Sequence, residues 1–129
     1  MDNLNIVKEW FDIAKMDISS AKYLKKMHPE PIEIICYHSQ QASEKYLKGF
    51  LALNEHQIQK THDLTLLNKI CQKYDIKFTK HEEECIRLTD YGVTIRYPYQ
   101  MDLNLEDMNL AITDAEKIQG FVLGKVKSV

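Results

Sequence analysis

Glycine and proline are scarce in this chain: four glycines and three prolines stand among 129 residues. Together they make up about 5%, where average usage gives about 12%. These two residues supply the backbone angles of tight turns, so a chain this poor in them cannot reverse direction often. It is therefore committed to a few long elements, and the hydrophobic spacing shows that those elements are helices.

The first helix is expected from Asn3 or Asn5 to Met27. Trp10, Ala14, Ala21 and Leu24 recur at helical spacing, with Phe11 and Ile18 on the same broad face. His28-Pro29-Glu30-Pro31 stops it, because neither proline can continue a helix, while Pro31 suits the first turn of the next. A second helix, Pro31 to Leu53, places Ile35, Ala42, Tyr46, Phe50 and Leu53 on one side. Gly49 inside it costs about 1 kcal/mol relative to alanine, which points to another helix packing close to its backbone. After the polar link 54–60, a third helix starts near Thr61 or Asp63, both good N-caps, and presents Leu64, Leu67, Ile70, Cys71 and Tyr74. Thr79 followed by Glu82 is a capping-box pattern for a fourth helix, which runs to about Asp90 and ends at Gly92. Residues 93–100 are rich in β-branched and aromatic side chains, but a lone strand containing Pro98 has no pairing partner, so the segment reads as an extended connection. A last helix starts at Asn104, with Asp107 three residues on, and carries Leu105, Met108, Ile112, Ala115, Ile118 and Val122. The expectation is a single all-α domain over residues 1–129, an antiparallel up-and-down bundle of four to five helices.

Composition narrows the function classes. Hydrophobic residues are 44% and charged residues 28%, as in globular chains, and 17 basic against 19 acidic residues give a net charge of −2. A broad basic coat for nucleic acid is absent. Only Arg87 and Arg96 are arginines, and they lie within ten residues of each other. No apolar run approaches the roughly 20 residues of a membrane span and no leader pattern opens the chain, so the expectation is a cytoplasmic protein. Cys36, Cys71 and Cys85 form no Cys-x-x-Cys pair and fall among apolar neighbours, which reads as buried free thiols. Phosphate-loop, dinucleotide, zinc-protease and serine-hydrolase signatures are missing. His81 with Glu82, Glu83 and Glu84 reads as a solvated face, since consecutive residues point in different directions. No metal and no cofactor is expected.

Four features break the helical pattern. Asp17 occupies an apolar position, either solvated at the stripe's edge or half-buried against a partner. His38, Gln41, Lys45 and Lys48 follow at intervals of three, four and three on one ridge, which is either a solvated face or a set of complementary donors for an anion. His62 precedes a helix start, where backbone N–H groups favour phosphate or carboxylate, while Asp63 suits the cap. Tyr91, Arg96, Tyr97 and Tyr99 could stack bases and pair with phosphate, or close a dimer interface.

Trp10 with Ala14 and Asp17, the run from Tyr37-His38-Ser39-Gln40-Gln41 through Glu44-Lys45 to Leu51, Lys60-Thr61-His62-Asp63-Leu64, and Tyr91 followed by Arg96-Tyr97-Pro98 together resemble the HEPN family. The resemblance spans residues 8 to 122. It implies a small helical-bundle domain, often a homodimer, encoded beside a minimal nucleotidyltransferase. One branch of the family consists of metal-independent ribonucleases marked by Arg, four to six residues, then His. Here the histidine's place after Arg87 holds Gly92, Val93 and Thr94, and after Arg96 holds Met101, Asp102 and Leu103. The resemblance therefore favours the other branch, described as binding nucleotides or nucleic acid. Its motif maps onto His38, Gln41, Glu44, Lys45, His62, Asp63, Arg96 and Tyr97.

Three readings follow. The first is a non-catalytic dimeric bundle that binds a nucleotide or other polyphosphate through His38, Gln41, Lys45, His62, Arg96 and Tyr97, partnered by a nucleotidyltransferase in a toxin–antitoxin-like pair. The second is a divergent ribonuclease toxin using His38 or His62 with Arg96 on RNA. The third makes Asp17, Glu44 and Asp63 a structural polar network that locks the helices.

Overall fold

A computed structural model of the chain describes residues 3–92 and 102–126. Five α-helices pack as a bundle: α1 (Asn3–Leu24), α2 (Ile32–Leu53), α3 (Leu64–Cys71), α4 (Glu82–Thr89) and α5 (Leu105–Lys125). No strand occurs among the described residues. Short 3-10 turns at Ile76–His81 and Asp90–Gly92 flank α4.

α1 and α2 form the largest helix pair. They run antiparallel, as the contacts from Asn3 to Leu53 at one end and from Asp17 to His38 further along require. Val7, Phe11, Ala14, Ile18 and Ala21 are the buried positions of α1. Trp10 and Leu24, which the spacing placed in the stripe, sit at its half-buried border. The helix stops at Leu24 rather than Met27, and the last turn continues only as single bonds from the Lys26 and Met27 amides to the Tyr23 and Leu24 carbonyls. Phe11 and Tyr46 meet at 5.6 Å between ring centroids. Gly49 makes this pair possible: a Cβ there would lie 2.8 Å from Phe11 Cδ1 and 3.1 Å from Trp10 Cβ. The glycine expected to mark a close helix approach does so.

α2 is the axis of the fold. Residues 46–51 are buried all round, which is the condition of a helix enclosed by others rather than lying on a surface. α5 covers it on a second side, and Gln119 donates to the Tyr46 hydroxyl at 2.7 Å. α5 begins with the expected capping box, the Asn104 and Asp107 side chains each accepting the other's backbone N–H. Asp63 caps α3 by accepting from the Thr65 and Leu66 amides.

The start of α4 departs from the sequence expectation. Thr79 does not cap it; its hydroxyl bonds back to the Ile76 carbonyl. Asp75 initiates a 3-10 turn four residues earlier by accepting from Lys77 N, and His81 occupies the N-cap. A local cap competing for the same residues decides the outcome. The 81–84 run is likewise not wholly solvated: Glu84 is buried and His81 lies in the protein, its ring 4.6 Å from that of Phe121. The three cysteines are free and buried as expected. Burial pushes the Cys36 and Cys85 thiols up to about 12 and Cys71 higher still. No helix among the described residues is long and apolar enough to cross a membrane.

Candidate functional site

Of the residues that broke the helical pattern, Asp17, His38, Gln41, Lys45, Lys48 and His62 lie along the edge of α2 that faces α1 and the start of α3. They form two clusters, each built on a carboxylate.

In the first, Asp17 reaches across from α1 and accepts from Lys45 Nζ at 2.6 Å and His38 Nδ1 at 2.9 Å. The carboxylate retains 13% of its side-chain exposure and Lys45 19%. The ion pair is thus largely withdrawn from water, and its geometry fixes one helix against the other. Of the two alternatives for Asp17, the partnered carboxylate is the one found.

In the second, Glu44 of α2 is almost wholly buried, with 5% side-chain exposure. Lys48, one turn on, donates to Oε2 at 2.9 Å, and His62 Nδ1 donates to Oε1 at 2.9 Å. Gln40, fully buried, donates to the same Oε1 at 3.3 Å and to the His62 carbonyl at 3.1 Å. Gln41 donates to Gln40 Oε1 at 2.8 Å and so extends the chain of bonds toward the surface. Burial alone would raise Glu44, but the hydrogen bonds from Lys48 and His62 outweigh it and hold its pKa below the ordinary value of 4.5. Glu44 stays ionised at neutral pH in a site where a bare carboxylate would not.

The cluster has a defined polarity. Its base is Glu44, its sides are Lys48 and Gln40, and its outer end is the His62 ring, whose side chain is 59% exposed. With Nδ1–H engaged by the carboxylate, Nε2 is the atom that faces outward. It accepts a proton or a hydrogen bond when the ring is neutral and donates when the ring is protonated.

Sequence reasoning found most of these residues but not how they divide. His38, Gln41, Lys45 and Lys48 do not act as one ridge: His38 and Lys45 turn to Asp17, Gln41 to Gln40, and Lys48 to Glu44. Asp63 stays outside both clusters as the α3 cap. Arg96 and Tyr97 lie outside the described residues. Gln40 was not singled out as a site residue, although it stands in the run that carries the family resemblance. Gly92 also has a role that spacing did not show: a Cβ there would lie 2.8 Å from Gln40 Cδ and Nε2, so the glycine lets the chain cross the amide closely. Tyr91, just before it, has its phenol pushed up to about 12 by burial.

Arg87, the other arginine, is committed elsewhere. Its Nε and an amino group bind the fully buried Asp114 of α5 at 2.9 and 2.8 Å, a bidentate pair joining α4 to α5. Asp114 pushes the already high pKa of this guanidinium higher. Among the described residues no group of His, Cys, Asp and Glu side chains is arranged to hold a metal ion.

A family model described as the HEPN domain matches residues 7–126. No curated protein matches the chain. Among solved structures it is similar to TT1696 from Thermus thermophilus, with a TM-score of 0.73 and 22% identity over 93% of this chain and 98% of that one. It is also similar to ST0689, described as an archaeal HEPN homologue, with a TM-score of 0.69 and 22% identity over 92% of this chain and 96% of that one. At that identity the likeness is one of fold.

Proposed function

The chain belongs to the HEPN domain family, and from that premise we propose that it is a non-catalytic member that binds a nucleotide or other polyphosphate, as a homodimer and as the partner of a minimal nucleotidyltransferase. The observation that carries this reading is the exposed His62 ring held from behind by a buried carboxylate. Glu44 fixes the ring's tautomer and orientation, so that once the ring is protonated its outer N–H points at solvent as a ready donor to a phosphate oxygen. His62 also immediately precedes the Asp63 cap; the N–H groups that open α3 are taken by Asp63 and Thr89, so the anion is held by side chains.

Gln41, His38 and Lys45 of α2, with Arg96 and Tyr97, make up the rest of the ligand set expected from the family motif. Lys45 is already matched by Asp17, so it contributes to an anion by sharing its charge rather than as a free cation. The arginine-to-histidine spacing of the ribonuclease branch is absent. That removes the imidazole that branch uses beside its arginine and favours binding over cleavage.

Isothermal titration with ATP, GTP and a short RNA tests the proposal. Saturable heat with a nucleotide, lost in His62→Ala and weakened in Arg96→Ala, is the expected result. No heat with any of the three ligands would refute it.

The Glu44–His62 pair also favours one second reading, because a carboxylate-backed imidazole is the arrangement of a general base. In that case RNA is cleaved in the presence of chelator and the cleavage is lost in His62→Ala. Intact RNA at high protein concentration eliminates it.

A further inference from the structure

A concave site bordered by Lys48 but not by His62 lies where the start of α1, the end of α2 and the loop 54–59 enclose a cleft of about 340 Å³. That volume is at the lower end of the range for small-molecule pockets and suits an occupant the size of a nucleoside. We propose that this cleft receives the planar base of a purine nucleoside or nucleotide; the inference rests on the nucleotide reading above and assigns the base a place apart from the anion site.

Three observations carry it. The first is the wall. Ile6, Leu51 and Ala52 line the cleft beside the indole of Trp10, and Ile58 stands over it with 74% of its surface exposed. An isoleucine so exposed on a polar loop is sheltered when a flat apolar ligand lies beneath it. A purine covers more of such a wall than a pyrimidine does, and aromatic walls take the faces of bases of any sequence.

The second is charge. Lys48 borders the cleft with its ammonium 5.9 Å from the Trp10 ring centroid, but that ammonium is bonded to Glu44 at 2.9 Å. The pair is neutral and Glu55 also borders the cleft, so the site offers no net attraction for phosphate and suits an uncharged heterocycle. The third is hydrogen bonding at the rim. Asn3 donates its amide nitrogen to the Leu53 carbonyl, and Gln59 donates its own to the Gln57 carbonyl. Both leave a side-chain carbonyl oxygen to accept, which matches the exocyclic amino group of a base.

The cleft is also formed in advance. Glu55 takes φ 55°, the left-handed turn that ends α2, and His56 N then bonds to the Leu51 carbonyl. The His56 ring is tied to the Tyr74 hydroxyl. The loop that makes one side of the cleft is thereby pinned at its base to both α2 and the end of α3.

Trp10 is the only tryptophan, so its fluorescence reads the cleft directly. Titration of the whole protein with adenosine, AMP, UMP and inorganic tripolyphosphate is the test. Expected is saturable quenching by adenosine and AMP, weaker quenching by UMP and none by tripolyphosphate. Ala52→Phe, which fills the cleft, and Ile58→Asp, at a surface position where folding is not at stake, each weaken the purine response by about tenfold or more. Calorimetric heat with ATP that leaves Trp10 fluorescence unchanged and survives Ala52→Phe overturns the base site while the anion site stands. Quenching by adenosine together with ATP binding indifferent to His62→Ala supports the base site and removes the anion site. Neither heat nor quenching overturns both.

Discussion

The Asp17 and Glu44 clusters use the same three groups, a carboxylate between a lysine and a histidine, and do different things with them. At Asp17 the acid comes from α1 and both bases from α2, so the bonds cross between helices and the His38 side chain is only 27% exposed. At Glu44 the acid and the lysine lie one turn apart on α2, and the histidine arrives from the segment before α3 with 59% of its side chain in solvent. The first arrangement uses its hydrogen bonds to join two helices. The second buries a charge in order to present an imidazole. Identical chemistry thus separates into a clamp and a display according to which elements supply the parts.

The largest effect is expected when the display loses its base. Glu44→Ala leaves the Lys48 ammonium, 9% exposed, without a carboxylate and with only the Trp10 ring nearby, and breaking a buried pair in this way costs about 3–5 kcal/mol. Urea denaturation measures it, and a loss below about 1 kcal/mol would show that water reaches Lys48. Asp17→Asn sharpens the contrast. It is expected to cost about 2 kcal/mol through weakened charged hydrogen bonds, while nucleotide affinity holds or rises because Lys45 and His38 are released from the carboxylate's charge. If affinity falls with stability, the carboxylate's positioning of His38 and Lys45 counts for more than the charge it withholds.

Gly49→Ala tests the helix contact on which both clusters depend. Helix propensity favours alanine by about 1 kcal/mol, but the new Cβ would overlap the Phe11 ring, and overpacking typically costs about 1–3 kcal/mol. A net loss of stability by thermal melting is the expected sign.

Acid separates the clusters in another way. Because the folded pKa of Glu44 lies below the ordinary 4.5, its contribution is fully present above that value and is lost as pH falls through the lower folded one. Melting temperature followed from pH 6 down to pH 3 should decline less steeply in Glu44→Gln than in the parent. His62→Ala is the mildest change for folding, expected to cost less than about 1 kcal/mol because the ring is mostly in water, and the most damaging for anion binding.

The helices were legible in the sequence because their signals are local. Proline at 29 and 31, the Asn104–Asp107 box and the Asp63 cap act within four residues, and each marks a helix end in the structure. Thr79 misled because an equally local competitor, Asp75, took the turn first. The site was legible in its membership and not in its pairing. His38, Lys45 and Lys48 look alike on a helical wheel, and only the approach of α1 on one side and of residue 62 on the other decides which carboxylate each one meets. Lys48 was expected on a ridge either solvated or anion-binding, and its burial with Glu44 follows from α2 being enclosed on all sides, a property of the whole bundle that no single helix records.

The bidentate pair between Arg87 and Asp114 has a consequence in stoichiometry. The chain carries two arginines, and one has the Nε–Nη2 edge of its guanidinium closed on a buried carboxylate. Each copy can therefore offer at most one such edge, that of Arg96, to a ligand. Two guanidinium forks on one phosphate chain would require two copies of this protein, so the ratio of protein to ligand at saturation counts the arginines that take part.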